Sequence, residues 1–133
     1  KAYVDVRYPA VPDTDLLVNC IGAAQEKGWP CHVGVVHSHE SFYIDTNEEE
    51  SAHWSAMGAL GADMETAALF TVGRIRGVRT ASILNNVVLY GQDTADAVAD
   101  YAGGEDMSAV GEQREIAVAL EALYRIARED GKQ

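Results

Sequence analysis

Gly61-Ala62-Asp63-Met64-Glu65-Thr66-Ala67-Ala68-Leu69-Phe70 is the stretch that decides the fold. A short apolar strand around Leu60 to Met64 runs directly into an alanine-rich helix from Glu65 to Arg76, which Gly77 stops. Two carboxylates, Asp63 and Glu65, flank a methionine at that junction. A strand end lets side chains point into a cleft, and a helix start favours negative charge. Two carboxylates with a thioether between them suit a polyhydroxylated, partly apolar ligand. A sugar has that chemistry: its hydroxyls donate to carboxylate oxygens and its ring face packs on sulfur and methylene. The plainer alternative is an acidic helix N-terminus without a ligand.

Upstream and downstream, strand and helix alternate. Pro12-Asp13-Thr14 caps a helix through about Glu26, with Gly28 past its end. Leu16, Leu17, Cys20, Ile21 and Ala24 mark its apolar face. A strand is expected at His32-Val33-Gly34-Val35-Val36, then a loop from His37 to Asp45 carrying Ser41-Phe42-Tyr43. Thr46 or Asn47 caps a helix whose first turn is Glu48-Glu49-Glu50, with Trp54 and Met57 toward the core and Gly58 at its end. Val78 to Val88 reads as a long strand buried on both faces. Gly91 to Met107 is an acidic connection, and Ser108 caps a last helix with Val110, Ile116, Leu120, Leu123 and Ile126 inward. The alternation predicts one α/β layer system over 1–133, a single domain.

Composition bounds the function. The chain has 133 residues, 47% hydrophobic and 23% charged, enough for one core. Its net charge of −11 argues against nucleic acid or an anionic membrane surface as partner. No membrane-span or signal-peptide pattern occurs, and a cytoplasmic location is expected. Cys20 and Cys31 make no CxxC pair and are expected as reduced, buried thiols; a disulfide between them stays open. The opening Lys1-Ala2-Tyr3-Val4-Asp5-Val6-Arg7-Tyr8 reads as an alternating strand without a start, so a fragment is expected, tag removal or processing being the bland explanation.

Other clusters carry less. His37-Ser38-His39, with Glu40 and His53, has some metal-ligand character, but zinc needs three or four convergent ligands, and no metal is expected. Asn85 and Asn86 are read as capping or backbone-pairing residues, and Tyr43 as a loop anchor.

An ordered series of blocks then becomes recognisable: Tyr8-Pro9-Ala10-Val11-Pro12-Asp13, His32-Val33-Gly34-Val35, Ser41-Phe42-Tyr43, Trp54-Ser55-Ala56-Met57-Gly58, and Asp63-Met64-Glu65-Thr66-Ala67-Ala68-Leu69. With the run after Gly77-Val78-Arg79, this series resembles the C-terminal half of the nucleoside phosphorylase family, which holds uridine phosphorylases and hexameric purine nucleoside phosphorylases. The resemblance implies an α/β fold with a mixed central sheet flanked by helices. It implies phosphate-dependent cleavage of a ribonucleoside to free base and ribose 1-phosphate, with inorganic phosphate as co-substrate and no cofactor. Glu65 would bind the ribose 2'- and 3'-hydroxyls, Met64 would pack on the sugar, Asp63 would sit near the 2'-hydroxyl, and Phe42 would cover the base or sugar face. No catalytic residue is assigned within this half.

The family's glycine-proline-glycine-type phosphate loop and phosphate-binding arginines do not occur here. The phosphate side is therefore expected from a missing N-terminal half, and the chain alone is expected to be inactive. A homo-oligomer built on dimers, up to a hexamer, is implied as well. For the base, many purine-specific relatives place Asp or Asn where an ungapped count puts Val88. Val87 and Val88 look like the apolar pair of uridine phosphorylases, which favours uridine. The short segment Ile44 to His53 is nearer the purine enzymes. A purine nucleoside phosphorylase, a nucleosidase using water, and a non-catalytic nucleoside-binding or assembly module remain the alternatives.

Overall fold

A computed structural model of the chain describes residues 8–41, 44–89 and 107–131. Its elements are α1 (Thr14–Glu26), β1 (Val36–Ser38), α2 (Asn47–Ala56), β2 (Gly61–Asp63), α3 (Thr66–Ile75) and α4 (Met107–Asp130). The described residues fall into two units. One runs to Leu17 and resumes over His32–Ser82; the other holds Val18–Cys31 and the described residues from Ile83 onward.

The first unit is organised by a β1–α2–β2 crossover. β1 and β2 pair in parallel, with Val36 opposite Gly61, His37 opposite Ala62 and Ser38 opposite Asp63. Parallel strands need such a crossover, and α2 supplies it. The pairing continues past the strand ends: Leu60 N–H donates to the Val35 carbonyl at 2.8 Å, and His39 N–H to the Asp63 carbonyl at 2.9 Å. The strand expected over His32–Val36 therefore lies further along, because the ladder forms where β2 is available. Val33 and Val35, apolar though they are, stay 54% and 71% exposed.

Three helices end in the same way. Gly28, Gly58 and Gly77 have φ of 67°, 89° and 68°, a region that costs residues with a Cβ. At each, the glycine N–H and the next N–H reach back to carbonyls in the last turn, as in Gly77 to Arg74 and Val78 to Gly73. That pair of bonds is the Schellman motif, and it satisfies carbonyls the helix leaves open. The α1 start is capped as expected, with Asp13 Oδ1 accepting the Leu16 N–H at 3.0 Å.

α3 buries Thr66, Phe70 and Gly73, one stripe at i, i+4 and i+7. Burying a side chain such as Phe70 contributes about 1.5–3 kcal/mol. α2 buries nothing: Met57, expected on a core face, is 66% exposed. Its Trp54 instead stacks on the His37 ring of β1 at 4.2 Å between centroids. Residues 78–88, expected as a buried strand, form none, because no described strand lies alongside to complete a ladder. They turn to other partners: the Thr80 carbonyl accepts the Asp13 N–H at 2.7 Å.

In the second unit Val118, Ala122 and Ile126 of α4 are buried, as are Cys20, Ala23 and Ala24. Of the five residues expected inward on α4, only Ile126 is buried; Val110, Ile116, Leu120 and Leu123 are all exposed. Small side chains and a charged clamp set the rotation of this helix. Arg125 forks onto Glu26 at 3.0 and 2.6 Å and also reaches Glu121 at 2.8 Å. Ser108 lies inside α4 instead of capping it, and its carbonyl accepts the Asn85 side-chain amide at 2.6 Å. Asn85 thus pairs with backbone, as expected. Cys20 is buried and free, its thiol pKa pushed up by that burial. Cys31 is free but exposed, since it follows the turn at Gly28 and lies on no packed element. No described helix is long and apolar enough to cross a membrane.

Candidate active site

The β2–α3 junction sorts its three acidic-motif residues by direction. Asp63 is the last residue of β2 and turns inward. Its Oδ1 accepts the Ser38 hydroxyl at 2.5 Å, and its Oδ2 accepts the Thr66 N–H at 2.8 Å. Ser38 Oγ in turn accepts the Ala67 N–H at 3.0 Å. Two of the open amides at the α3 start are thereby satisfied. Burial acts to raise the Asp63 pKa, but hydrogen bonds from Ser38, Thr66 and the Glu65 backbone outweigh it. The carboxyl therefore titrates below its ordinary 3.8. Below it, the Thr66 and Ser82 hydroxyls meet at 3.0 Å.

Met64 and Glu65 point the other way. Met64 is 40% exposed, and Glu65 is exposed. Glu65 Oε2 accepts the Met64 N–H at 3.1 Å, which leaves the rest of the carboxylate open to solvent. The junction thus presents a thioether beside a carboxylate on a turn fixed from beneath. That pairing can pack against the apolar face of a ring, accept hydrogen bonds from hydroxyls, and stabilise positive charge that develops nearby.

The other expected site residues are elsewhere. Val87 and Val88 are half-buried and belong to the second unit. Phe42 and Tyr43 lie outside the described residues. His37, His39 and His53 are engaged with rings and backbone: His37 stacks on Trp54, His53 meets its edge at 5.4 Å, and His39 Nδ1 lies 2.8 Å from the Ser41 carbonyl. Among the described residues no group of three or more His, Cys, Asp or Glu is arranged to hold a metal ion. A shallow depression of about 150 Å³ lies at the far end of α3, around Arg74, Gly77 and Thr80. Sequence reasoning missed Ser38. Its signal was the β1–β2 register, which places it opposite Asp63, and register depends on a pairing that one strand alone does not specify.

Comparison with known proteins gives this junction its context. The family described as the phosphorylase superfamily matches residues 1–123. The chain belongs to that superfamily. It is similar to guanosine phosphorylase of Halorubrum lacusprofundi, 36% identical over 100 residues that cover 73% of this chain and 41% of that protein. It is also similar to uridine phosphorylase of Treponema pallidum, 31% identical over 98% of this chain and 52% of that protein. The crystal structure of uridine phosphorylase from Vibrio fischeri ES114 superposes with a TM-score of 0.80 at 41% identity, over 92% of this chain and 49% of that one. The fold is therefore α/β and nucleoside phosphorylase-like. The chain spans about half the length of the curated relatives it matches.

Proposed function

We propose that this chain forms the nucleoside-facing side of a nucleoside phosphorylase. The observation that carries the reading is the outward Met64–Glu65 pair on a turn whose underside Asp63 ties down, in a phosphorylase-superfamily chain. In the reaction, a phosphate oxygen bonds to ribose C1' while the bond from C1' to the base nitrogen breaks. The electron pair leaves with the base, and positive charge grows on the ribose. Glu65 accepts the 2'- and 3'-hydroxyls, fixes the ring and stabilises that charge. Met64 packs on the sugar, Asp63 stands near the 2'-hydroxyl, and Phe42 covers the base or sugar face.

The phosphate ligands come from a half that relatives possess beyond the matched region, so the isolated chain is inactive. The working protein is a cytoplasmic homo-oligomer with inorganic phosphate as its only co-substrate. Uridine is the preferred nucleoside, in keeping with the apolar Val87–Val88 pair and the similarity to uridine phosphorylases. The similarity to guanosine phosphorylase supports a purine nucleoside as the second reading.

The test is a panel of uridine, inosine, guanosine and adenosine, assayed with and without phosphate on the protein joined to its phosphate-binding half. Ribose 1-phosphate formed only with phosphate supports the reading. Free ribose would mark a nucleosidase, and binding without turnover a non-catalytic module.

A further inference from the structure

Beneath the Met64–Glu65 turn, Ser38 occupies a place that nothing in the reading above assigns. It sits at the end of β1, half-buried, in register with Asp63. Its hydroxyl has one proton and two acceptor positions. The Ala67 N–H can only donate, so Ser38 Oγ accepts there. The single hydroxyl proton is then directed to Asp63 Oδ1. Asp63 uses its other oxygen on the Thr66 N–H. The chain of bonds runs from α3, through Ser38, to Asp63, and back to α3. It closes a ring around the turn that presents Glu65.

We propose that Ser38 is a positioning residue for ribose recognition: by holding Asp63 beneath the turn, it sets the direction in which Glu65 meets the sugar hydroxyls. The inference rests on the nucleoside phosphorylase reading. A hydroxyl is required at this position because one atom must donate to a carboxylate and accept from an amide at once. Alanine can do neither and would leave a partly buried carboxylate oxygen and an amide unpaired. Threonine carries the same hydroxyl and fits a strand end, where β-branched residues are favoured. Glu65 is the residue that responds, since its carboxylate has only the adjacent Met64 N–H to hold it from within the turn.

The experiment compares Ser38→Ala and Ser38→Thr with the parent protein, in the complete phosphate-binding form. The readout is the ratio of kcat/KM for a ribonucleoside to that for its 2'-deoxy analogue, with the KM for phosphate alongside. A role confined to stability would lower the melting temperature but leave this ratio in place. The expected result is a loss of about tenfold in the ratio for Ser38→Ala, equivalent to about 1.4 kcal/mol. Phosphate KM should stay within twofold, and Ser38→Thr should restore the ratio. Ser38→Cys, which keeps the shape with a weaker donor, serves if Ser38→Ala does not fold, and should lose part of the ratio. An unchanged ratio in a folded, active Ser38→Ala or Ser38→Cys protein would overturn the role of Ser38. Absence of phosphate-dependent cleavage by the parent protein would instead overturn the reading beneath it.

Discussion

A methyl group placed on Gly73 would sit 2.4 Å from Thr80 Cγ2 and 3.2 Å from the Val78 carbonyl. Helix α3 and the segment after it therefore meet at backbone distance, and a side chain at 73 has no room. Gly73 shares the buried stripe of α3 with Thr66 and Phe70, so this contact fixes the helix that carries the Met64–Glu65 turn at its start. Glycine inside a helix costs about 1 kcal/mol relative to alanine, which the close approach outweighs. Gly73→Ala should accordingly destabilise the protein by about 1–3 kcal/mol, the usual cost of overpacking. Urea unfolding measures it, and equal or greater stability in the variant would show that Thr80 moves aside freely.

Acid should act on the same junction through Asp63. Its folded pKa lies below the ordinary 3.8, so the carboxylate contributes stability that is complete above the unfolded value. That contribution is lost as pH falls through the folded value. Asp63→Asn should cost about 1 kcal/mol at pH 7, because the amide keeps one acceptor oxygen and cannot accept from both the Ser38 hydroxyl and the Thr66 N–H. It should also flatten the fall in melting temperature below about pH 4. A variant whose acid limb ran parallel to that of the parent would place the titration on another group.

These two predictions draw on features of different legibility. The α3 start and stop were written in its own residues: a strand breaking at Asp63-Met64-Glu65, and Gly77 needing positive φ. The cap at Asp13 and the backbone pairing of Asn85 were readable for the same local reason. What failed in the reading depended on distant partners. The apolar run at 78–88 signals burial but not which strand lies beside it. Helix α4 offers two apolar stripes; the one with Ala122 is buried and the one with Leu120 is not, as its neighbours and the Arg125–Glu26 clamp decide. Ser38 looked like loop polarity until the register set it against Asp63. The motif located the junction, but not which of its side chains turns inward, nor the bonds that hold the turn.

Glu115 offers a pH effect of opposite sign on α4. Desolvation, then the nearby Glu112 charge, raises its pKa above the ordinary 4.5. A carboxyl whose folded pKa is raised favours the fold below its unfolded value and loses that contribution as pH rises through the folded value. At neutral pH the charged Glu115 is a net cost, discounted by solvent to a few tenths of a kcal/mol. Glu115→Gln should raise the melting temperature slightly at pH 7 and leave it unchanged near pH 3.5. A lower melting temperature at pH 7 would mean that the carboxylate has a favourable partner.

Base choice tests Val88. If the apolar pair walls the base, a purine ring nitrogen placed there goes unpaired, at a cost of about 1–3 kcal/mol. Uridine should then be cleaved with higher kcat/KM than inosine, and Val88→Asp should narrow the gap by supplying a partner. An inosine preference in the parent protein would reject uridine while leaving the proposed sugar-binding residues untouched.

Glu65 carries the strongest prediction, because its role is separable from the fold. Its side chain is exposed and bonds only the adjacent Met64 N–H among the contacts described above, so Glu65→Gln should leave the melting temperature within about 1 °C, as surface substitutions do. The amide keeps one acceptor oxygen but loses the charge and turns its other end into a donor. If residue 65 faces two sugar hydroxyls as ribose becomes positive, as proposed, the amide forfeits an interaction that grows toward the transition state. Such losses lower kcat as well as kcat/KM, and removing one preorganised electrostatic contact typically costs 10²–10³ in rate. Steady-state kinetics on the complete protein should show that fall with uridine. A smaller effect is expected with 2'-deoxyuridine, which lacks one of the hydroxyls. Near-parental kcat with both substrates would remove Glu65 from the sugar site and leave the turn a structural feature.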